Sequence, residues 1–279
     1  MVAGFYKDYF QHVKESAAWC EKHFTLKPKL LVVLSAGLDA FAEQLDEKQV
    51  VESVDIPHFP VSRAKGHSGK IILGKWKGVP VLVRQGRQHV YSGYAPQEVV
   101  FPYFVFSALG CKTMISTNAV GGIRYDLCPG DIVVTTDHIN MMGVNPLVGI
   151  SVQHEENQFP NMTQAYDVAL RAVTAAVAEK QGVPLKEGVF IAVSGPNYET
   201  KAEIKAYRIM GADTIGMSTV PEVIAANYLG MKVLVLNVVA NPAADRHDGV
   251  MTHEEVLSAM NSASPKVVKL LQGVVEEIK

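Results

Sequence analysis

The chain has 279 residues, of which 48% are hydrophobic and 19% are charged, and its formal net charge is −2. This balance provides no basic field that would attract nucleic acid, and it is too apolar for a disordered protein. No apolar run approaches the roughly 20 residues that cross a bilayer, and residues 1–14 lack the pattern of a signal peptide. Cys20, Cys111 and Cys128 have no paired spacing, which argues against disulfides and zinc ribbons. We therefore expect a soluble, cytoplasmic protein with no membrane or nucleic-acid partner.

Short apolar runs of strand length recur along the chain and alternate with helical segments. Their β-branched, nearly continuous hydrophobicity is typical of strands that are buried on both faces. These predicted strands occupy residues 30–34, 71–73, 79–83, 113–117, 132–136, 189–193 and 233–239.

Capping and turn signals mark where helices and a hairpin begin. Thr200 and Thr252 each start a capping box, and Pro221 suits a first helical turn. The apolar segments on either side of residues 77–78 predict a hairpin inserted among parallel strands. Because no linker or repeat divides the chain, we expect an α/β fold, a single domain over residues 1–279 with a mixed β-sheet flanked by helices.

Several common chemistries lack their motif in this sequence. No Gly-x-Gly-x-x-Gly opens a helix after a strand, and no Walker sequence is present. The sequence therefore lacks the loops that usually bind the phosphates of nucleotide cofactors. His253 and Glu254 resemble the start of a zinc-protease helix, but position 257 is Leu. Residues 66–69 miss the spacing of a hydrolase nucleophile elbow by one position. The sequence therefore predicts no cofactor and no metal.

Polar residues collect instead where the predicted strands end, which is the usual place for ligand sites in α/β proteins. They lie in residues 84–91, 116–122, 194–200 and 216–222, and Asn241 follows the last strand. Arginine and histidine in the first segment suit an oxyanion, and the glycines of the second let a ligand approach the backbone. Taken singly, each segment also fits an ordinary loop or helix cap.

Together these segments resemble the trimeric purine nucleoside phosphorylase family, which also contains methylthioadenosine phosphorylase. The likeness runs from about Leu30 to Leu271, and it is most specific in residues 86–94, 117–122, 195–200, 216–222 and 253–257. It implies a pentosyltransferase of purine salvage that converts a purine ribonucleoside or deoxyribonucleoside and phosphate into free base and (deoxy)ribose 1-phosphate. Inorganic phosphate would be a co-substrate, and the expected assembly is a homotrimer.

The resemblance also implies roles for individual residues around the phosphate and the sugar. The implied phosphate-binding residues are Ser35, Arg87, His89, Ala119 through its backbone, and Ser218, with His67 as a secondary candidate. The ribose would be lined by Tyr91, Met217 and His253.

At the nucleobase, the resemblance implies that Tyr198 and Val120 pack against the purine and that Glu199 accepts a hydrogen bond from N1–H. Asn241 would face N7 and the 6-substituent, where a carboxamide can accept from a protonated N7 and donate to a 6-oxo group. The methylthioadenosine branch has Asp there, which suits a 6-amino donor. We therefore predict inosine and guanosine as substrates rather than adenosine, with Asn241, Glu199 and His89 as the catalytic residues.

The sequence departs from the family in two segments. The first phosphate loop usually reads Gly-Ser-Gly-Leu-Gly, whereas residues 35–39 read Ser-Ala-Gly-Leu-Asp. Ser35 is then the candidate for the missing hydroxyl, and Asp39 is expected to bring negative charge near the anion, which weakens phosphate binding. The family also supplies an aromatic residue to the neighbouring subunit's site, for which this chain offers His154 or Phe159.

Three alternatives remain open at this point. A methylthioadenosine or methylthioinosine phosphorylase fits the family, although His253 suits a 5′-hydroxyl that a methylthio group lacks. A nucleosidase that uses water is motivated by the altered loop at residues 35–39. A catalytically silent purine-binding relative is the third, but it has no need for the polar groups of Glu199, Asn241 and His253 in one pocket.

Overall fold

The computed structural model describes residues 8–61, 69–151, 157–246, 249 and 252–278, with only the main chain described for His253. The helices in these ranges are α1 Tyr9–His23, α2 Ala40–Glu43, α3 Pro96–Ala108, α4 Val168–Gln181, α5 Lys201–Ile209, α6 Val220–Tyr228 and α7 His253–Glu277. The strands are β1 Leu30–Leu34, β2 Asp46–Glu52, β3 Lys70–Trp76, β4 Val79–Gln85, β5 Thr113–Gly122, β6 Ile132–Asn140, β7 Leu185–Ala192, β8 Thr214–Gly216 and β9 Lys232–Pro242.

These strands form one mixed sheet in the order β2-β3-β4-β1-β5-β8-β7-β6-β9. Strands β3 and β4 make the predicted antiparallel hairpin, while β1 pairs in parallel with β4 and β5. Strand β9 also pairs in parallel with β5. The pairings therefore run from β5 through β8, β7, β6 and β9 and back to β5, which closes five strands into a ring.

Two large hydrophobic cores cover the sheet, and a smaller third cluster includes Ile204 of α5 and Ile215 of β8. Along β1, Leu31 and Val33 join the core shared with α1, α3 and α6, whereas Leu30, Val32 and Leu34 join the core shared with α2, α4 and α7. This division follows from the period of two along a strand, and it explains why the run is apolar at every position. The predicted class, an α/β fold with a mixed sheet flanked by helices, is confirmed.

The helix boundaries follow the capping chemistry. Thr200 Oγ1 accepts from the Glu203 N–H at 3.2 Å, and Thr252 Oγ1 accepts from the Glu255 N–H at the same distance, so both predicted capping boxes are confirmed. Helix α6 begins one residue before Pro221, as expected for proline in a first turn.

The prediction was wrong where polar residues were taken to end a strand. Residues 117–122 lie within β5 and Asn241 lies within β9, because the two strands remain paired as far as Gly122 and Pro242. Two strands were not predicted at all. Strand β2 is a polar edge strand, and β8 has only three residues.

Candidate functional site

A cleft of about 400 Å³ opens at the carboxyl ends of β1, β4, β5 and β9, beside the start of α6. A parallel arrangement brings these strand ends to one edge of the sheet, so the polar residues that follow them converge there. The predicted residues that line this one cleft are Ser35, Arg87, His89, Tyr91, Ala119, Val120, Tyr198, Glu199, Met217, Ser218 and Asn241.

Other predicted residues cannot be placed in the same way. His67 and His154 lie outside the described residues, as does the side chain of His253, although its backbone begins α7 near Val256 and Leu257 of the cleft. Phe159 is described and is 86% exposed on the surface.

Arg87 is buried at one part of the cleft, which we call the phosphate end after the role predicted for this residue. Its side chain is 3% exposed, and its Nη2 donates to Ser116 Oγ at 3.0 Å and to the Thr117 carbonyl oxygen at 2.7 Å. On the other side, Nε lies 3.2 Å from Oε1 of Glu222. Because several groups hold the planar guanidinium, it keeps one orientation, which suits the binding of an oxyanion.

The altered first loop places Ser35, and not Asp39, at the cleft. The Ser35 N–H donates to Thr117 Oγ1 at 2.8 Å, and the two hydroxyl oxygens lie 3.2 Å apart. The Asp39 side chain accepts from Gln85 Nε2 at 2.7 Å and stands outside the cleft lining. Burial raises the pKa of the Asp39 carboxyl, which disfavours its charged form. The Asp39 carboxylate, which was expected to bring negative charge near the anion, is therefore not among the residues that line the cleft.

Ser218 reaches the phosphate end through a strained turn. Thr219 has φ 73°, and the Val220 N–H donates to the Ser218 carbonyl oxygen at 2.9 Å, which is a γ-turn of the rare positive-φ type. A β-branched residue with positive φ carries strain that the surrounding structure must hold in place. The Ser218 hydroxyl donates to Asn118 Oδ1 at 3.3 Å. The turn thus directs Ser218 towards the cleft directly before α6 starts.

Glu199 and Asn241 also line the cleft, in a part that we call the base end after the role predicted for them; Asn241 pairs with Gly121 of β5, four residues beyond the Thr117 that holds Arg87. Burial raises the pKa of Glu199, the neighbouring Glu203 raises it further, and a backbone hydrogen bond partly offsets both effects. Asn241 Nδ2 donates to the Pro242 carbonyl oxygen at 2.8 Å. Asn241 pairs with Gly121 across a register shift in β5 and β9, so Ala240 is an extra residue on β9.

Aromatic and sulfur-containing side chains lie between the two ends. The rings of Tyr91 and His89 stack with centroids 4.6 Å apart and planes 22° from parallel. Met217 packs against Gly195, where a Cβ would lie only 2.5 Å from Met217 Sδ and where φ is 65°. Glycine is therefore required at position 195 for both space and backbone conformation. This middle part offers apolar surface suited to a sugar and the face of a base.

The structure also reveals site residues that the sequence analysis did not single out. Asn118 lines the cleft, and its buried Nδ2 has no hydrogen-bond partner among the described residues. Ser116, Thr117 and Glu222 hold the arginine of the phosphate end. The signal available for Glu222 was a single charged residue in the otherwise apolar start of α6.

The described part of the chain offers neither a grouped set of metal ligands nor a membrane-spanning helix. In that part of the chain, no three or more histidine, cysteine or acidic side chains are grouped so that they would hold a metal ion. None of the helices described is both long and apolar enough to cross a membrane.

Known proteins are similar to this chain in sequence and architecture. The chain matches the family model of the Phosphorylase superfamily over residues 30–276. It is 40% identical over 265 residues to purine nucleoside phosphorylase 1 of Bacillus subtilis (strain 168), covering 95% of this chain and 98% of that relative.

Two solved structures extend the comparison to three dimensions. A Schistosoma purine nucleoside phosphorylase in complex with hypoxanthine aligns with a TM-score of 0.90 at 32% identity, covering 96% of this chain and 98% of that chain. The purine nucleoside phosphorylase of Schistosoma mansoni in complex with adenosine aligns with a TM-score of 0.87 at 32% identity and the same coverage.

Proposed function

The chain belongs to the phosphorylase superfamily, and from this membership we propose that it is a purine nucleoside phosphorylase that prefers 6-oxopurine nucleosides such as inosine and guanosine. As a pentosyltransferase it transfers the pentosyl group from the base to phosphate, giving free base and (deoxy)ribose 1-phosphate. The sequence identity and the fold support the purine nucleoside phosphorylase activity, and the residues at the base end are the argument for the 6-oxo preference.

One observation carries the proposal: a single cleft is lined by an arginine and hydroxyls near Thr117 of β5, and by a carboxylate and a carboxamide, the carboxamide lying near Gly121 of the same strand. Arg87, Ser218 and Ser35 provide donors for an oxyanion. Glu199 and Asn241 provide groups that can read the edge of a purine. A nucleoside between them would have its sugar above the anion.

The chemistry follows from this polarity. Breaking the N-glycosidic bond develops positive charge on the sugar and negative charge on the base, so stabilisation is needed at both ends. Phosphate held by Arg87 and Ser218 would stabilise the ribosyl cation and is positioned to attack it. Asn241 would accept from a protonated N7 as the base leaves. The nucleophile is thus the phosphate itself, and the protein supplies position and electrostatics.

The preference for 6-oxopurines rests on the amide at position 241. An amide nitrogen can donate to a 6-oxo group, and the Glu199 carboxylate can accept from the N1–H that 6-oxopurines carry and adenine lacks. A site built to hydrogen-bond such groups rejects an analogue that leaves its polar atoms unpaired. We extend the proposal to a homotrimer, in which a neighbouring subunit would complete the site through residues near 154 or 159.

The test measures base release from inosine, guanosine, adenosine and methylthioadenosine, each with phosphate and in phosphate-free buffer. We expect release from inosine and guanosine only with phosphate, and kcat/KM for inosine at least about a hundredfold above that for adenosine. Release without phosphate would identify a nucleosidase, and faster turnover of methylthioadenosine than inosine would identify the other branch of the family. Purine binding without any product would identify a silent relative.

A further inference from the structure

A fully buried carboxylate lies behind the arginine of the phosphate end. Glu222 has no exposed surface, and its Oε1 is 3.2 Å from Nε of Arg87. The guanidinium is held on its other side by Ser116 and Thr117 of β5. Arg87 is therefore fixed between a strand and the first turn of α6.

Helix α6 does not need this charge for its own packing. Eight of its nine residues are buried, and Glu222 is the one charged residue among them. Taking an ion pair out of water has a large desolvation cost, so a well-packed apolar residue often stabilises a protein as much or more. A buried charged group is therefore weak evidence for a role in stability, and its effect here is to orient its partner. Its partner here is the arginine of the cleft.

Glu222 also connects two of the segments that carry phosphate-end residues. Arg87 lies in the loop after β4. Ser218 lies two residues before the start of α6, and the strained Thr219 stands between them. Glu222, Ser218 and His89 border the same small void behind the cleft. The contact from Arg87 to Glu222 thus sets the distance between the loop after β4 and the start of α6.

We infer that Glu222 is a positioning residue for phosphate: its carboxylate fixes the Arg87 guanidinium in the plane and position in which it meets the anion. This inference rests on the proposed function and adds to it a residue that acts through Arg87. The reach of the side chain, and not only its charge, is then what phosphate binding depends on.

The test separates the length of the side chain from its charge with three variants of Glu222. Glu222→Asp keeps the charge but withdraws the carboxylate by about 1.5 Å, one carbon–carbon bond, which breaks its close ion-pair contact with Nε of Arg87. Glu222→Gln keeps the reach without the charge, and Glu222→Asn has neither. We expect the shorter side chain to raise the KM for phosphate about tenfold or more in each matched comparison. With the charge kept, Glu222→Asp is compared with wild type; without the charge, Glu222→Asn is compared with Glu222→Gln. The KM for inosine should stay within about twofold in both comparisons.

A matched control lies on the same helix. Asn227 Nδ2 donates to the carbonyl oxygens of Ala165 and Val223, at 3.0 and 2.9 Å. Asn227→Ala should lower the melting temperature of the protein and leave the KM for phosphate unchanged. Phosphate affinity is also measured by calorimetry without nucleoside, so the result does not depend on turnover.

The outcomes separate this inference from the proposed function. A wild-type protein that neither binds phosphate nor depends on it contradicts the proposed function itself. The positioning role is wrong if wild type binds phosphate but the shorter side chain leaves the KM and Kd for phosphate within about twofold. The comparison is Glu222→Asp with wild type, or Glu222→Asn with Glu222→Gln, according to which of these variants fold. Parallel changes in both KM values, matched by Asn227→Ala, would show a purely structural role and would also overturn it.

Discussion

Changing Asn241 to Asp should weaken the preference for inosine over adenosine, because the side chain at this position lies at the base end. The carboxylate cannot donate to a 6-oxo group, but it can accept from a 6-amino group. Asn241 Nδ2 also donates to the Pro242 carbonyl oxygen at 2.8 Å. That hydrogen bond is lost whichever substrate is bound, so its cost cancels when two substrates are compared.

The size of the change follows from the two base contacts. With adenosine, a hydrogen bond to a charged group contributes about 1.5 kcal/mol or more. With inosine, an acceptor facing an acceptor leaves a buried group unsatisfied, which costs about 1 kcal/mol or more. The sum of about 2.5 kcal/mol corresponds to a shift of roughly 70-fold in the ratio of kcat/KM for inosine to kcat/KM for adenosine.

The assay is initial-rate kinetics with both nucleosides at saturating phosphate, for wild type, Asn241→Asp and Asn241→Ala. The alanine variant removes donor and acceptor together, so it should lower kcat/KM for both substrates and move the ratio less than the aspartate variant. An inosine-to-adenosine ratio that is the same in wild type and Asn241→Asp would refute the assignment of this residue to the 6-substituent.

Three further predictions address the rest of the site. Burial raises the pKa of Glu199, so its carboxylate is present above that raised pKa and is lost as pH falls through it; kcat/KM for inosine should therefore fall in acid earlier than an ordinary glutamate would give. Glu199→Gln should remove that limb of the pH profile and lower the plateau about tenfold. Asp39→Asn retains the acceptor for Gln85 outside the cleft, so the KM for phosphate should stay within about twofold, and a large decrease would show that the charge does reach the anion. Thr200→Ala removes the acceptor for the Glu203 N–H and should cost about 1 kcal/mol in urea unfolding, whereas Thr200→Ser should cost less.

The sequence predicted the elements whose apolar pattern is strong and missed those without one. Strand β1 is apolar at all five positions because both faces are covered, which made it easy to recognise. Strand β2 is an edge strand with charged residues at four of its seven positions, so its sequence lacks the apolar pattern that predicts a strand. Helix α3 is buried almost all round and therefore shows no amphipathic period.

The candidate site was predictable where residue type alone indicates chemistry. Arg87, Glu199 and Asn241 were found because charged and amide groups stood near strand ends in a family pattern. Asn118 and Glu222 were missed because their position depends on which strand and helix meet in space. A lone glutamate at a helix start is explained equally well by the helix dipole, and only the fold shows that it contacts Arg87.

The extra residue Ala240 in β9 has a consequence for how selectivity can change. In a regular strand, residues 240 and 241 would face opposite sides of the sheet, but both line the cleft here. The buried run of β9 ends at Ala240, so position 241 lies beyond the core. A point substitution there can shift the preference among nucleobases with little effect on folding, because the discriminating position lies beyond the part of the strand that the core constrains.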